Sequence, residues 1–260
     1  MSLDITRILN GWPFEPGQIT ARRIRGEDGR DLIQLRLDLG LLQMEAAGRP
    51  DGQRPHGYES LLEYYQARLD RHREEKGAER GFELDERDCE LLRSEAVMYY
   101  HRYLAEFVLE DYPAVERDTQ RNLRVMDFCS SHAADPADRH VLEQYRPYVI
   151  MMRTRARSAL ELGHNRPKSA LAAIQRGIAE IEAYLERYGQ AHGAPGGGES
   201  AVNSAELAVL RALAKEAESR IPVDPIRKIR QALDQAIQEE RYEEAAALRD
   251  QLRRASGQAE

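Results

Sequence analysis

The sequence has few cysteines and no long apolar run. Cys89 and Cys129 are the two cysteines among 260 residues and lie far apart in the sequence, which favours a reducing compartment and indicates no disulfide framework. The apolar runs are short, as in YVIMM at residues 148–152, and are far from membrane-spanning length. The first residues, MSLDITRILNGW, lack the apolar core of a signal peptide. We therefore expect a cytoplasmic protein.

An excess of positive charge is also lacking. The net charge of −7 argues against a chain that binds nucleic acid over its whole surface, and it leaves room only for a local basic patch. Apolar residues make up 42% of the chain and charged residues 32%, which is ordinary for a globular protein. The length allows one large or two smaller domains.

Residues 1–57 are predicted to form an N-terminal β-hairpin region. Apolar residues alternate with polar ones from Ile33 to Leu39, and the sequence GEDG at residues 26–29 suits a hairpin turn. Around Gly40 the alternation of apolar and polar residues shifts by one position, which we attribute to a β-bulge. A loop rich in glycine and proline follows at residues 46–57.

The basic residues of this hairpin suggest nucleic-acid binding as an alternative function. A two-stranded ribbon can lie along a nucleic-acid backbone, and arginine suits phosphate. The acidic residues of the same segment offset much of the charge, so a small sheet with a charged outer face is the competing interpretation. The candidate nucleic-acid-binding residues are Arg22, Arg23, Arg25 and Arg30.

Residues 58–188 are predicted to form a helical domain. Asp85 can cap a long helix, and Pro113 and Pro136 suit the first turns of later helices. Pro147 should break its segment, and Gly163 and Gly189 suit helix ends. One apolar stripe of the long helix contains Leu92, Ala96, Tyr99, Tyr103, Phe107 and Val108. Two helical pairs within residues 86–188 resemble degenerate tetratricopeptide repeats, and a plain helical bundle is the alternative.

A glycine-rich segment at residues 189–203 is predicted to be a flexible linker before the C-terminal helices of residues 204–260. Helices are expected at about 204–220, 225–240 and 242–255. The last two carry apolar residues at the three- and four-residue spacing of a coiled-coil seam. The seam residues are Ile226, Ile229, Leu233 and Ala236 in one helix, and Ala245, Leu248, Leu252 and Ala255 in the other. Ala245 and Ala246 should allow the helices to approach closely.

This helical hairpin, residues 224–255, is too small for an independent core. Something must cover the apolar edge left by Ile226, Ile237, Tyr242 and Leu248. A second copy of the hairpin, a different protein or the chain's own helix at 204–220 could each do so. We therefore expect a binding module.

The segment YEEAAALRDQL, which begins at Tyr242, closely resembles the UVR motif that the UvrB and UvrC subunits of the bacterial excision-repair nuclease share. The resemblance implies a protein–protein contact module of paired antiparallel helices, with Leu248 and Leu252 in the contact and Arg249 and Asp250 on its polar margin. The N-terminal part resembles uncharacterised bacterial proteins with a terminal UVR motif. The residues predicted to bind a partner are Ile226, Ile229, Leu233, Ile237, Tyr242, Ala245, Leu248, Arg249, Asp250 and Leu252.

The sequence offers little support for catalysis or for a cofactor. It lacks the GxxxxGK[ST] loop of helicases and paired CxxC zinc ligands. Cys129, His132 and His140 form only a loose set of ligand types, and Cys89 is expected in the core. The arginines of the predicted helix 142–157 are expected to pair with acids or to extend toward solvent.

These observations predict a mainly α protein whose body is a helical bundle or is tetratricopeptide-like. A small N-terminal antiparallel β element and a C-terminal helical hairpin complete it. The expected function is that of a non-enzymatic adaptor without cofactor or metal, with a link to nucleotide-excision repair.

Overall fold

An antiparallel sheet begins the first of two compact units into which the chain divides, Met1–Lys215 and Glu216–Glu260. The computed structural model describes residues 4–192, 204–222 and 225–256. After the short helix α1 (Thr6–Leu9), strands β1 (Ala21–Arg25), β2 (Asp31–Arg36) and β3 (Leu41–Glu45) pair in sequence order. The predicted turn at residues 26–29 joins β1 to β2, with the Gly29 N–H donating to the Gly26 carbonyl at 2.9 Å.

The predicted β-bulge at Gly40 is wrong, because the chain reverses there into a third strand. The Leu37 N–H donates to the Gly40 carbonyl at 2.9 Å, and the Gly40 N–H donates back to Leu37 at 3.3 Å. The shift in the alternation therefore marks a tight turn. Leu39 lies in that turn and is 89% exposed, whereas Ile33 and Leu35 are buried.

The sheet packs on the helical body through one face. Ile33, Leu35 and Met44 form a buried cluster with Ala105 of the long helix. On the opposite face Gln34 is buried among polar partners, accepting from Arg22 Nε at 2.7 Å. Both faces of β2 are thus covered, which explains why its middle residues are buried without alternation.

The rest of the first unit is helical, as predicted. The helices are α2 (Leu61–Lys76), α3 (Glu86–Val108), α4 (Tyr112–His132), α5 (Pro136–Val141), α6 (Arg146–Gly163), α7 (Pro167–His192) and α8 (Ala205–Ser219), which runs across the boundary between the units. Asp85 caps α3 by accepting from the Asp88 N–H at 2.7 Å. Pro113, Pro136 and Pro147 each lie in a first helical turn.

Two details of the helix predictions are wrong. Gly189 does not end α7, which continues to His192. One glycine costs a helix only about 1 kcal/mol, and the burial of Ile181 and Tyr184 on the preceding turns holds the helix in place. Val108, expected on the buried stripe of α3, is exposed at the last turn of the helix.

Four long helices of the first unit pack in chain order, α3 on α4, α4 on α6, and α6 on α7, with the short α5 between α4 and α6. This order is typical of stacked helical hairpins. The resemblance to tetratricopeptide repeats stays a prediction. Within the described ranges, the helices are all too short or too polar to cross a lipid bilayer.

The second unit contains the predicted pair of C-terminal helices. They are α9 (Pro225–Gln238) and α10 (Tyr242–Ser256), and both begin where the sequence predicted. Proline suits the start of α9, because backbone N–H groups in the first turn of a helix make no intrahelical hydrogen bond and the absence of one costs nothing there. The predicted linker falls partly on the end of α7, and residues 193–203 lie outside the described part of the chain.

Candidate partner-binding hairpin

A tight turn reverses the chain between α9 and α10. Glu240 adopts a left-handed conformation with φ 57°. The Arg241 N–H donates to the Ala236 carbonyl at 2.8 Å, and the Glu240 N–H donates to the Ile237 carbonyl at 3.1 Å. These two bonds form a Schellman motif, which satisfies the last carbonyls of α9 and directs the chain back along it.

Two small residues near the turn are buried in this helix pair. Ala236 and Ala245 are buried, and α9 and α10 pack closely along their length. Alanine side chains allow this close approach because they extend little from the backbone. Ala246, which we expected in the same contact, is exposed, because it follows Ala245 by 100° around the helix.

The larger seam residues are only half-buried. This set consists of Ile229, Leu233, Leu248 and Leu252. Ile226 and Ala255 belong to the same helices, but their side chains lie outside the described part of the structure. The two helices therefore leave part of this apolar seam accessible to solvent.

Among the described residues of the hairpin, two large apolar side chains at the turn end are exposed. Ile237 is 52% exposed and Tyr242 is 68% exposed, on the last turn of α9 and the first turn of α10. Both belong to the edge that the sequence predicted would need cover. The structure places them at the surface, where a partner can reach them.

Charged residues surround this edge. Arg241 pairs with Glu239 at 2.6 Å and also with Glu244. Hydrogen bonds from Gln235 and Arg241 lower the pKa of the exposed Glu239 carboxyl below its usual value. Arg249 and Asp250 lie 3.2 Å apart and are exposed, as a polar margin would be. An apolar edge within a charged rim is the usual composition of a protein interface.

Comparison with protein-family models identifies this hairpin. Residues 224–258 match the model described as the UvrB/uvrC motif. The hairpin is a UVR motif. A search of curated proteins and a search of solved structures gave no match. The UVR match confirms the resemblance that the sequence suggested, and it covers α9 and α10 without extending to the first unit.

The four arginines of the alternative, nucleic-acid-binding hypothesis each have a partner within the chain. Arg22 stacks on Trp12 with 4.2 Å from its guanidinium carbon to the ring centre, and it donates to Gln34. The other three form ion pairs, Arg23 with Asp111 at 2.6 Å, Arg25 with Asp31 at 3.2 Å and Arg30 with Asp28 at 2.6 Å. The charges of Arg23, Arg25 and Arg30 are thus each matched by a carboxylate within the protein, whereas the contacts of Arg22 are with an aromatic ring and uncharged groups.

The two cysteines lie in the interior of the first unit. Burial raises the pKa of Cys89 to about 11 and that of Cys129 to about 12, so both stay protonated at neutral pH. His132 packs against the rings of Phe82 and Phe128. Across residues 4–192, 204–222 and 225–256, no group of three or more His, Cys, Asp and Glu side chains is arranged to hold a metal ion.

A group of buried ionisable side chains in the first unit was not predicted. Glu95, Arg102 and Glu106 of α3 are buried, as are Asp118 and Arg121 of α4. The sequence feature that could have revealed this group is the spacing of the three α3 residues, which are seven and four positions apart. This spacing puts them on one helical face beside the apolar stripe. Charged residues are rarely buried unless they are paired, so a solvent-facing position was the natural expectation.

Proposed function

We propose that this protein is a non-enzymatic adaptor that captures a protein partner through its UVR hairpin. The observation that carries the proposal is the exposure of Ile237 and Tyr242 at the turn end of a hairpin that matches the UVR model. Removing these side chains from water on binding supplies the driving force, at about 25 cal/mol for each Å² of apolar surface.

The first unit would act as the scaffold of this adaptor. Its helices are long and regular, and buried ion pairs tie α3 to α4. The UVR motif supports nucleotide-excision repair as the process served and the cytoplasm as the location. The partners to test are therefore UvrB, UvrC and a second copy of this chain.

A binding experiment with matched variants tests the proposal. The tagged full-length protein is incubated with purified UvrB or UvrC, and its own self-association is followed by sedimentation. Leu248→Asp puts a charge into the half-buried seam, whereas Ala247→Asp puts the same charge on the neighbouring exposed position. We expect Leu248→Asp to weaken capture at least about tenfold and Ala247→Asp to leave it nearly unchanged.

Circular dichroism checks that both variants keep the helical body. If the unmodified protein binds none of the three partners, the adaptor proposal fails for excision repair. If it binds one of them and Leu248→Asp binds equally well, the hairpin is not the docking element.

A further inference from the structure

The first unit has a second surface with the composition of a binding site, separate from the UVR hairpin. It lies where side chains of α3 meet side chains of α6. We call it the aromatic face and define it by Val97, Tyr100, His101 and Phe107 of α3 and Tyr148 and Arg155 of α6. All six residues are at least partly accessible to solvent.

Two contacts between the helices set the geometry of the aromatic face. The rings of Tyr100 and Tyr148 are 6.3 Å apart, and the guanidinium of Arg155 lies 4.4 Å from the centre of the Phe107 ring. The second contact is seven residues further along both helices than the first. The helices therefore run in the same direction here, and about two helical turns, some 10 Å, separate the contacts.

The aromatic face borders the buried stripe that holds α3 in the core, and the Tyr100 ring meets the Tyr103 ring of that stripe edge-on at 5.5 Å. That stripe contains Leu92, Ala96, Tyr99 and Tyr103 and is covered by other elements. A helix at the surface of a globular protein normally has one apolar stripe. On the aromatic face, by contrast, Val97 is 50% exposed and the rings are only half-buried.

Arg155 gives the aromatic face a positive charge. Three other arginines of α6 pair with carboxylates: Arg146 with Glu143, Arg153 with Glu180 and Arg157 with Glu116. Arg155 contacts the Phe107 ring and the sulfur of Met152, at 3.6 Å, and no carboxylate in the part of the chain that the structure describes. A half-buried guanidinium with free donors favours a carboxylate from outside the chain.

We propose that the aromatic face binds an acidic amphipathic peptide segment of a partner protein, with a carboxylate on Arg155 and apolar side chains against Val97, Tyr100 and Tyr148. A nucleic acid fits this face less well, because a phosphate backbone calls for several cations. Burial lowers the pKa of His101 and so keeps it neutral at neutral pH. Burial is the main cause that raises the pKa of the Tyr148 hydroxyl, and Tyr100 and Glu206 act in the same direction while Arg155 opposes it. The negative charge of Glu206 places the acidic side chain of the peptide at the Arg155 end of the face and its apolar side chains at the Tyr148 end.

Selection from a random peptide library displayed on phage tests this proposal with the full-length protein. Enriched peptides are then synthesised and their affinities measured by fluorescence anisotropy. We expect the peptides to combine Asp or Glu with Leu, Phe, Tyr or Trp, and to bind about tenfold more weakly to Arg155→Glu. Arg157→Glu is the matched control, since it makes the same change two residues along, on another side of α6.

Two further variants keep the result interpretable. Val97→Asp changes a half-exposed residue, should fold normally and should weaken peptide binding as Arg155→Glu does. Leu248→Asp should bind the peptides normally, because this proposal does not depend on the UVR hairpin. The proposal is overturned if no peptide is enriched, if the enriched peptides lack acidic residues, or if Arg155→Glu and Val97→Asp both bind them as the unmodified protein does. Loss of binding in Leu248→Asp would assign the peptides to the hairpin and overturn it equally.

Discussion

Arg102 of α3 and Asp118 of α4 form a two-pronged ion pair inside the first unit, with Arg102 Nε 2.6 Å from Asp118 Oδ2 and Nη2 2.9 Å from Oδ1. Both side chains are almost completely buried. Arg102 Nη1 also donates to the carbonyls of Glu45 and Gly48 at 2.9 and 2.8 Å. One guanidinium therefore joins α3, α4 and the end of β3.

Removing Arg102 should strongly destabilise the first unit. Arg102→Ala leaves the Asp118 carboxylate buried without its main partner, and we expect the free energy of unfolding to fall by about 3–5 kcal/mol. Urea denaturation followed by circular dichroism measures this change. The double variant Arg102→Met with Asp118→Leu should lose less than the single variant. A loss below about 1 kcal/mol for Arg102→Ala would show that the pair does not hold these elements together.

Glu106 should make the stability of the first unit depend on pH. Burial raises the pKa of its carboxyl from the usual 4.5 to about 8, and Asp118 and Asp111 act in the same direction, while Arg102 and Arg117 oppose it. The folded state therefore holds the proton more tightly than the unfolded state does. This contribution to stability is complete below the unfolded pKa and is lost as pH rises through about 8.

The variant Glu106→Gln mimics the protonated form and should lack this pH dependence. The free energy of unfolding is measured by urea denaturation at about pH 6 and at about pH 9. From the lower to the higher pH, the unmodified protein should lose stability relative to Glu106→Gln, by a few kcal/mol at most. Glu90→Gln, an exposed change on the same helix, is the control and should follow the unmodified protein. Parallel pH profiles for Glu106→Gln and the unmodified protein would rule out a raised pKa at Glu106.

The turn at residues 37–40 can be tested through its most exposed residue. Leu39→Ser should change the free energy of unfolding by less than about 0.5 kcal/mol, because Leu39 is 89% exposed. Leu35→Ala, in the buried centre of β2, should cost about 2–4 kcal/mol. Thermal and urea denaturation provide both numbers. A large loss for Leu39→Ser would instead support a bulged strand that buries this leucine.

Glu240 should be replaceable by glycine with a gain in stability of the hairpin. Its left-handed conformation costs a residue with a side chain about 1 kcal/mol more than it costs glycine. Hydrogen exchange of the amides of α9 and α10 in the full-length protein should slow in Glu240→Gly. Glu243→Gly, within the first turn of α10, should speed exchange instead, because glycine weakens a helix there. Faster exchange in Glu240→Gly would contradict the assigned turn.

The sequence was most informative where local rules decide the structure. Asp85 occurs as the predicted cap, because a side chain that accepts a backbone N–H acts within three residues. The two helices of the UVR hairpin were predictable for the same reason, since their apolar spacing and the proline at position 225 are local signals.

The sequence was least informative where distant residues decide the structure. Gly40 has the same local signature whether it marks a bulge or a turn, and only the pairing of β3 with β2 distinguishes them. The ion pair of Arg102 with Asp118 joins residues whose charges, taken alone, indicate a solvent-facing position. The aromatic face depends on side chains of α3 meeting side chains of α6, which no local pattern in either helix specifies.

Hydrogen exchange with and without the partner is the most direct test of capture by the UVR hairpin. The full-length protein is mixed with purified UvrB or UvrC, and amide exchange is compared with that of the protein alone. We predict slower exchange concentrated in residues 229–253, and no slowing there in Leu248→Asp. Slowing confined to the first unit, or unchanged exchange in the hairpin when the complex has formed, would contradict it.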